Sequence, residues 1–581
     1  MTVAFQGIGI ASACSVALGP AFVDVRGRGG VTHTPISVDQ VQREIARFDL
    51  AVTSARQALK RVRAQIPRHT PVKIAEFIDA HLLMLEDAAL VDEVRRIVAD
   101  QLCSAEWALQ LHGDTLVEIF DQMDDPYLRT RRDDIEHVVH QIQTFLHGEN
   151  PQPINLADQD LVGYVVVARD LTPADAILLH HRGAVAFVTE YGGPMSHTAI
   201  LARSLGVPAV MGIHDITRYL RSDELLVVDG ESGTVLANAD DAALLYYRQR
   251  ARDIEARQRR LRELVDRPSQ TRNGVAIRLQ ANLELPEDID VAKANGASGV
   301  GLYRTEFLYM NRGDLPDEEE HLANYAAMIE SLGGMPITIR TLDLGVDKRS
   351  SACAERGANV TNPALGLRAI RLCLKEPGLF RPQVRAILRA SALGPIRLML
   401  PLVTSVLELD RALAIIAELK QQLDQDGLDY DDAMPVGAMI EVPAAALTAR
   451  AIARRMDFLS IGTNDLIQYT LAIDRLDDSV NYLFDPAHPA ILRLVRLIIE
   501  AGNALDIPVG MCGEMAGDPR FTRLLIGLGL REFSMQPGAI LDIKEILLEA
   551  DTLELQRRTE YLFTQLDHAD PLRLIEELNA T

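Results

Sequence analysis

Eight short apolar segments in the second half of the sequence alternate with stretches that have helical periodicity. They lie at residues 275–283, 299–308, 336–344, 396–403, 436–442, 458–463, 508–512 and 532–535. Apolar runs separated by helix-length segments are typical of parallel strands that are joined by helical crossovers. Eight such units over roughly 300 residues suit a (β/α)8 barrel better than an open doubly wound sheet. We therefore predict a closed barrel over residues 271–581.

Strand-like segments in the first half of the sequence lie on both sides of a helical region. These segments are residues 3–10, 21–25, 163–168, 184–189 and 225–229. Between them, apolar residues at spacings of three and four predict a group of about four helices. Because the strands flank the helices, the simplest fold is one α/β domain with a helical subdomain inserted into it.

The complete prediction has four parts and an α/β fold class. The α/β domain comprises residues 1–30 and 149–240, and the inserted helical subdomain comprises residues 31–148. Residues 241–270 contain many arginines and predict a long exposed linker helix. The C-terminal TIM barrel, residues 271–581, follows this helix.

The charge and the cysteines of the chain limit its partners and its compartment. With 82 acidic against 59 basic side chains, the formal net charge is -23. This balance argues against a nucleic-acid partner, because a phosphate backbone needs clustered Lys and Arg. No segment reaches the apolar length that crosses a bilayer, so no membrane insertion is expected. The five cysteines are widely spaced and form no CxxC pair, which favours a reducing, cytoplasmic location.

A glycine pair, Gly192-Gly193, precedes His197 at the start of a segment with helical periodicity. This placement presents an imidazole to an outside reactant, and a neutral imidazole nitrogen can accept a phosphoryl group. The alternative is that His197 only caps its helix. This segment taken alone leaves both interpretations open.

Polar residues stand at the carboxyl ends of the predicted barrel strands, where barrels of this kind build their active sites. They are Asn282, Glu284, Arg304, Glu306, Arg340, Asp343, Glu441, Asn464, Asp465, Cys512 and Glu514, with Arg475 shortly after the sixth strand. The three arginines at this mouth can hold a phosphate and a carboxylate by paired hydrogen bonds. Glu441 and Asp465 would repel such a substrate unless a divalent cation lay between them, and oxygen ligands favour Mg2+. For each residue alone, a salt bridge at the barrel rim is the alternative.

Seven sequence motifs extend over the predicted α/β domain and the barrel. They are Gly192-Gly193 to Ser196-His197-Thr198 with Ala202-Arg203-Ser204; Gly301-Leu302-Tyr303-Arg304-Thr305-Glu306-Phe307-Leu308; Ile339-Arg340-Thr341-Leu342-Asp343; Asn362-Pro363-Ala364-Leu365-Gly366; Met439-Ile440-Glu441-Val442-Pro443; Ser460-Ile461-Gly462-Thr463-Asn464-Asp465-Leu466 with Asp474-Arg475; and Cys512-Gly513-Glu514-Met515-Ala516-Gly517. With these motifs the chain resembles, essentially from end to end, the family of phosphoenolpyruvate-protein phosphotransferases, Enzyme I of the bacterial sugar phosphotransferase system.

The resemblance implies roles for individual residues. It implies that His197 is phosphorylated and that Cys512 protonates the enolate that remains when phosphoenolpyruvate loses its phosphoryl group. The residues that it implies for substrate binding are Arg304, Arg340, Asn464, Asp465 and Arg475. It also implies that Glu441 and Asp465 hold Mg2+.

The resemblance further implies a reaction and two partners. The phosphoryl group would pass from phosphoenolpyruvate to His197 and then to a histidine of the small phosphocarrier protein HPr, with release of pyruvate, as the first step of sugar phosphotransfer. The inserted helices would dock HPr. The barrel would form a homodimer.

Two positions depart from the family pattern. Pro194-Met195 stands where Arg-Thr is usual, and Val346 stands where a second glycine is usual. These departures leave open a regulatory protein that keeps the docking helices without turnover. Pyruvate phosphate dikinase and phosphoenolpyruvate synthase pair similar domains, but they also need a nucleotide-binding domain, for which this chain has no room.

Overall fold

In the computed structural model of the protein, the chain forms two units, Met1–Gln258 and Arg259–Thr581. The structure describes residues 2–10, 15–23, 33–65, 80–121, 134–135, 138–139, 141–143, 145–146, 161–171, 173–193, 196–286, 288–309, 314–344, 363–474 and 480–580.

One eight-stranded sheet is the centre of the first unit. Its strands are β1 (Val3–Gln6), β2 (Ile8–Ile10), β3 (Val16–Val23), β4 (Val165–Ala168), β5 (Ala186–Thr189), β6 (Ala209–Met211), β7 (Leu225–Asp229) and β8 (Thr234–Ala237). Strands β3, β4, β5 and β6 are parallel neighbours in this order. Their carboxyl ends therefore lie side by side at the same end of the strands. The apolar side chains of β4, β5 and β6 are buried, as in a parallel sheet that is covered on both faces.

Strands β1 and β2 lie at opposite edges of the sheet although only Gly7 separates them in the chain. The sheet therefore curls until its edges approach each other. A Cβ atom on residue 7 would lie 2.5 Å from the carbonyl oxygen of Met211, so this crossing requires glycine.

The helices between β3 and β4 have a core of their own. Their bounds are Val38–Gln40, which is a 3-10 turn, Val41–Gln65, Ala88–Gln101 and Ala105–Asp121. Phe48, Leu109 and Ile142 are fully buried in this core. Arg47 forms ion pairs with Glu44 on its own helix and with Glu106. The second pair links the helix Val41–Gln65 to the helix Ala105–Asp121. The helices follow β3 and precede its parallel neighbour β4, so they are an insertion into the sheet domain.

Four more helices follow in the chain, with bounds Pro173–His181, His197–Leu205, Ile216–Tyr219 and Asp241–Arg262. The last of them lies within the predicted linker helix. Arg250 on it forms 2.7 Å ion pairs with the buried Asp229 and with Glu231, which fixes this part of the helix to the end of β7.

Eight parallel strands close into a barrel in the second unit. They are β9 (Arg278–Leu283), β10 (Val300–Tyr303), β11 (Ile337–Arg340), β12 (Ile396–Leu400), β13 (Val436–Ile440), β14 (Phe458–Ile461), β15 (Val509–Met511) and β16 (Glu532–Met535). The α-helices around them are Asp288–Ala294, Glu318–Leu332, Ala369–Lys375, Pro377–Ser391, Val406–Asp426, Pro443–Leu447, Ala449–Ala453, Thr463–Leu471, Pro489–Asn503, Pro519–Leu528, Ile540–Glu549, Thr552–Gln565 and Pro571–Asn579. One apolar core joins the outer faces of the strands to the helices.

The predicted α/β fold class with a C-terminal barrel is confirmed, although every barrel strand except the last is shorter than predicted. The segment 275–283 becomes a strand only at Arg278, because Gln270 and Ala276 form an antiparallel bridge before it. The segment 299–308 leaves the sheet after Tyr303, since Glu306–Tyr309 is a 3-10 helix. The residue bounds of the four predicted parts stay a prediction. Across the described residues, no helix combines the length and the apolar character that a membrane crossing requires.

Candidate active site

A cavity of about 460 Å³ opens at the carboxyl ends of the barrel strands. Side chains that are far apart in the sequence line it, among them Asn282, Arg304, Asn464, Cys512 and Glu514. They lie on or directly after β9, β10, β14 and β15, so closure of the barrel brings them together.

Two of the predicted substrate-binding residues face this cavity with carboxylate partners. Arg304 forms an ion pair with Glu284 while about a third of its side chain stays exposed. Asn464 donates from Nδ2 to Oε1 of Glu514 at 3.0 Å, and it accepts the backbone N–H of Glu514 at the same distance. These contacts orient the guanidinium and the amide at the cavity wall.

Arg340, the last residue of β11, is almost fully buried. Its Nη2 is 2.7 Å from Oε1 of Glu306, and its Nη1 is 2.9 Å from Oδ2 of Asp343. Burial by itself lowers the pKa of the guanidinium, but the nearby Glu306, Asp343 and Glu441 carboxylates outweigh it and raise the pKa above its ordinary value. Arg340 is thus a permanent buried cation with a fixed direction.

Three carboxylates, Asp343, Glu441 and Asp465, converge beside Arg340. One oxygen of each lies within 4.8 Å of the others. Burial, and then the charges of Asp465 and Asp343, raise the pKa of Glu441 well above its ordinary value. The backbone N–H of Leu402 donates to Oε1 of Glu441 at 2.6 Å and holds this side chain in place. A set of close oxygen donors that repel one another is suited to a hard divalent cation such as Mg2+.

Sequence reasoning missed two members of this group. It placed Asp343 at a strand end without a metal role, and it did not identify Arg368. Nη2 of Arg368 is 2.8 Å from Oδ1 of Asp343 and 3.7 Å from Oδ2 of Asp465. Arg368 stands two residues after the Asn362–Gly366 motif, and this proximity was the only signal that could have found it.

Cys512 follows β15, lines the cavity and is almost fully buried. The hydroxyl of Ser460 donates to Sγ at 3.2 Å, and Sγ faces the carbonyl oxygen of Ile461 at 3.7 Å. The amide of Asn282 donates to the carbonyl oxygen of Cys512 at 2.9 Å. Burial raises the pKa of the thiol to about 11, although the Ser460 hydrogen bond acts in the opposite direction. The sulfur therefore carries its proton at neutral pH.

Some sequence predictions lie outside the described residues. They are Arg475, the Pro194-Met195 pair, and Val346 with the rest of residues 345–362.

His197 is the first residue of the helix His197–Leu205 in the first unit. Its helix begins after Gly192, whose φ of 103° is unfavourable for other residues. Ser196 accepts the backbone N–H of Ala199 at 3.2 Å and is the N-cap. The capping role that the sequence allowed for His197 therefore belongs to Ser196.

Three models of one protein family match successive parts of the chain. "PEP-utilising enzyme, N-terminal" matches residues 7–131, "PEP-utilising enzyme, mobile domain" residues 162–233, and "PEP-utilising enzyme, PEP-binding domain" residues 258–552. A phosphoenolpyruvate-protein phosphotransferase of Cupriavidus necator is 43% identical over 100% of both chains. Those of Listeria innocua and Staphylococcus carnosus are 37% and 38% identical over 98% of this chain, covering 99% and 98% of their own.

Proposed function

The chain belongs to the family of phosphoenolpyruvate-protein phosphotransferases, which are transferase enzymes, and from this premise we propose its reaction. The phosphoryl group of phosphoenolpyruvate passes to His197 and from there to a histidine of HPr, and pyruvate is released. The observation that carries the proposal is the barrel mouth, where Arg304 and the protonated thiol of Cys512 line the cavity and the cluster of Asp343, Glu441 and Asp465 lies at other strand ends of the same barrel.

The arginines of the barrel mouth bind the anionic substrate in this proposal. Arg304 stands at the cavity wall and Arg340 beside the carboxylate cluster, and Arg475 is assigned to the same task from the sequence. Asn464 adds a neutral donor, and Asp465 lies next to it in the chain. Phosphoryl transfer depends on positioning and on neutralisation of charge that spreads over the phosphate oxygens, and guanidinium groups supply both.

The carboxylate cluster is the proposed Mg2+ site. Glu441 and Asp465 are the ligands expected from the sequence, and the position of Asp343 supports it as a third. Their oxygen-only donor set fits Mg2+. A divalent cation also relieves the repulsion from Asp465 and Asp343, which adds to burial in raising the pKa of Glu441. When bound, the ion supplies positive charge for the oxygens of the substrate.

Cys512 is the proposed acid for the second half of the chemistry. After the phosphoryl group leaves, the enolate carbon C3 gains a proton from Sγ, so the S–H bond breaks, a C–H bond forms and the sulfur keeps the electron pair. The thiolate then recovers a proton from water. A thiol whose pKa is raised to about 11 is fully protonated before this step, as a general acid must be.

Substitution of the thiol tests this assignment. We expect Cys512→Ala to lower phosphoenolpyruvate turnover by about 100-fold, the lower range for the loss of a general acid. The enolate is then protonated in solution on either face, so pyruvate from isotopically labelled substrate has mixed chirality at C3. Phosphate exchange between His197 and HPr stays normal. Cys373→Ala, which removes another buried cysteine thiol of the barrel unit, is the matched control. Native turnover with stereospecific product in Cys512→Ala would show that the proton comes from elsewhere.

Labelling tests the function as a whole. The protein is incubated with Mg2+ and phosphoenolpyruvate that carries a labelled phosphoryl group, with and without HPr. We expect an acid-labile phosphohistidine that passes to HPr when HPr is present, and no label when EDTA removes the metal. Absence of the acid-labile label would contradict the function, and labelling by ATP would point to a dikinase or synthase instead.

The partners and the location complete the proposal. We assign HPr docking to the helical subdomain, residues 31–148, where Leu50 and Leu83 are large exposed apolar side chains. Homodimerisation is assigned to the barrel unit. A cytoplasmic location is retained from the sequence. The described cysteines Cys103, Cys373 and Cys512 are thiols rather than disulfide partners, which suits a reducing compartment.

A fragment that contains only the first unit tests which half-reaction each unit performs. A fragment of residues 1–258, the first unit, keeps the Arg250–Asp229 ion pair and contains His197 together with the helical subdomain. We expect it to fold, to exchange phosphate with phosphorylated HPr at a rate similar to the intact chain, and to take no phosphate from phosphoenolpyruvate. Labelling of the fragment by phosphoenolpyruvate would overturn the assignment of the substrate to the barrel.

A further inference from the structure

Three parallel strands of the first unit, β4, β5 and β6, have their carboxyl ends on the side of the sheet where the His197 helix begins. This side is called the carboxyl edge below. Arg169 directly follows β4, Tyr191 comes two residues after β5, and His214 comes three residues after β6. The sequence places these residues 22 and 23 positions apart, but the parallel register brings them side by side. The aromatic rings of Tyr191 and His214 meet edge to face at 5.8 Å.

Hydrogen bonds hold the backbone of the His197 segment against this edge. The backbone N–H of Tyr191 donates to the carbonyl oxygen of Arg169 at 3.0 Å. The hydroxyl of Thr198 donates to the carbonyl oxygen of Leu171 at 2.6 Å. Residue 197 is therefore anchored through its neighbour to the segment that begins with Arg169.

The side chain of Arg169 is oriented by the two residues that follow β5. Its guanidinium lies over the ring of Tyr191 at 5.7 Å, and Nη2 is 3.4 Å from the Tyr191 hydroxyl. Its Nε is 3.5 Å from Oε2 of Glu190, whose other oxygen accepts both donors of Thr217. The Arg169 side chain is still 43% exposed. Arg169 is thus a partly exposed cation whose guanidinium is held in one orientation beside the carboxyl ends of these strands.

A nearby cation of this kind stabilises a phosphohistidine at position 197. A phosphoryl group carries a charge of about -2 near neutral pH and offers oxygens that favour charge-assisted hydrogen bonds. Pro194, Met195 and Ser196, which connect Gly193 to His197, bring no positive charge. Resting on the function proposed above, we propose that Arg169 binds the phosphoryl group while His197 carries it, with Tyr191 holding the guanidinium in position.

This role separates Arg169 from the arginines of the barrel. Arg304 and Arg340 belong to the phosphoenolpyruvate site and act only in the half-reaction that uses this substrate. The phosphohistidine is common to both half-reactions. Loss of Arg169 must therefore slow phosphorylation by phosphoenolpyruvate and exchange with HPr alike.

The experiment uses the intact chain and measures both half-reactions by rapid quench, one with labelled phosphoenolpyruvate and Mg2+, the other with labelled phospho-HPr. We expect Arg169→Gln to lower both rates by about tenfold or more. Arg169→Lys keeps the charge without the two-pronged geometry, so it recovers part of both rates. Arg221→Gln is the matched control and keeps both rates native. Arg221 is exposed and precedes Asp223 by two residues. Asp223 accepts a hydrogen bond from Tyr164, which directly precedes β4. Arg221 therefore lies near the amino end of β4, whereas Arg169 lies at its carboxyl end.

The outcomes distinguish this inference from the function on which it rests. An unlabelled wild-type chain would refute the proposed function. A labelled wild type with native rates in Arg169→Gln, or a loss confined to one half-reaction, would refute the role of Arg169 alone. Equal rates in Arg169→Gln and Arg169→Lys would also refute it. The positive charge of lysine would then restore no activity, as expected if the Arg169 side chain had only a structural role.

Discussion

Replacement of His197 with alanine is expected to abolish phosphorylation of the chain by both phosphoenolpyruvate and phospho-HPr, because the nucleophile of both half-reactions is lost. The fold is expected to persist. Ser196 remains the helix cap, Thr198 keeps its hydrogen bond to Leu171, and alanine is a good helix former. The free energy of unfolding should change by no more than about 1 kcal/mol, measured by chemical denaturation.

The neighbouring histidines provide the control for this substitution. His180 and His181 lie in the last turn of the helix Pro173–His181, and His181→Ala is expected to label as fast as the wild type. If His197→Ala still acquired an acid-labile phosphate, the nucleophile would be another histidine, and mapping of the label would identify it.

Arg340→Lys is expected to lower kcat/KM for phosphoenolpyruvate by roughly 100-fold or more, comparable to the loss of one preorganised donor in an oxyanion-binding site. Lysine keeps the charge, but a single ammonium cannot contact Glu306 and Asp343 in the directions that Nη2 and Nη1 take while it also faces a phosphate. Exchange with phospho-HPr should be unaffected, because that half-reaction does not use the barrel. Steady-state pyruvate release and quench-flow exchange measure the two activities.

A second arginine of the barrel is a matched control. Arg397, near the amino end of β12, pairs with the buried Glu532 at 2.9 Å, at the opposite end of the barrel from the cavity. Arg397→Lys makes the same chemical change in a similar ion pair, and we expect turnover close to that of the wild type. Near-native turnover in Arg340→Lys would mean that Arg340 serves only as a structural ion-pair partner.

The sequence by itself determined the fold class, the number of barrel strands and the candidates at the strand ends. Each strand is a short apolar run, and the alternation of such runs with helical segments is a local property that can be read residue by residue. The step from strand ends to a shared mouth follows from the geometry of a parallel barrel. This is why Arg304, Asn464 and Cys512 could be named as neighbours although they lie far apart in the chain.

Only the tertiary structure decided how these side chains are used. The sequence places Asp343 at a strand end and Arg368 close to a motif, but it does not show that Asp343 joins Glu441 and Asp465 or that Arg368 bridges two of these carboxylates, because these contacts join different strands and loops. The same holds for Arg169, whose contact with Tyr191 depends on the parallel register of β4 and β5.

The pKa of Cys512 also depends on the tertiary structure. An exposed cysteine thiol has a pKa of about 8.5, whereas burial raises that of Cys512 to about 11. Burial and electrostatic shifts depend on the positions of all neighbouring groups, so they arise only when the chain has folded. Local pattern therefore determined which residues stand at the strand ends, and packing across the barrel determined their charge, their direction and their partners.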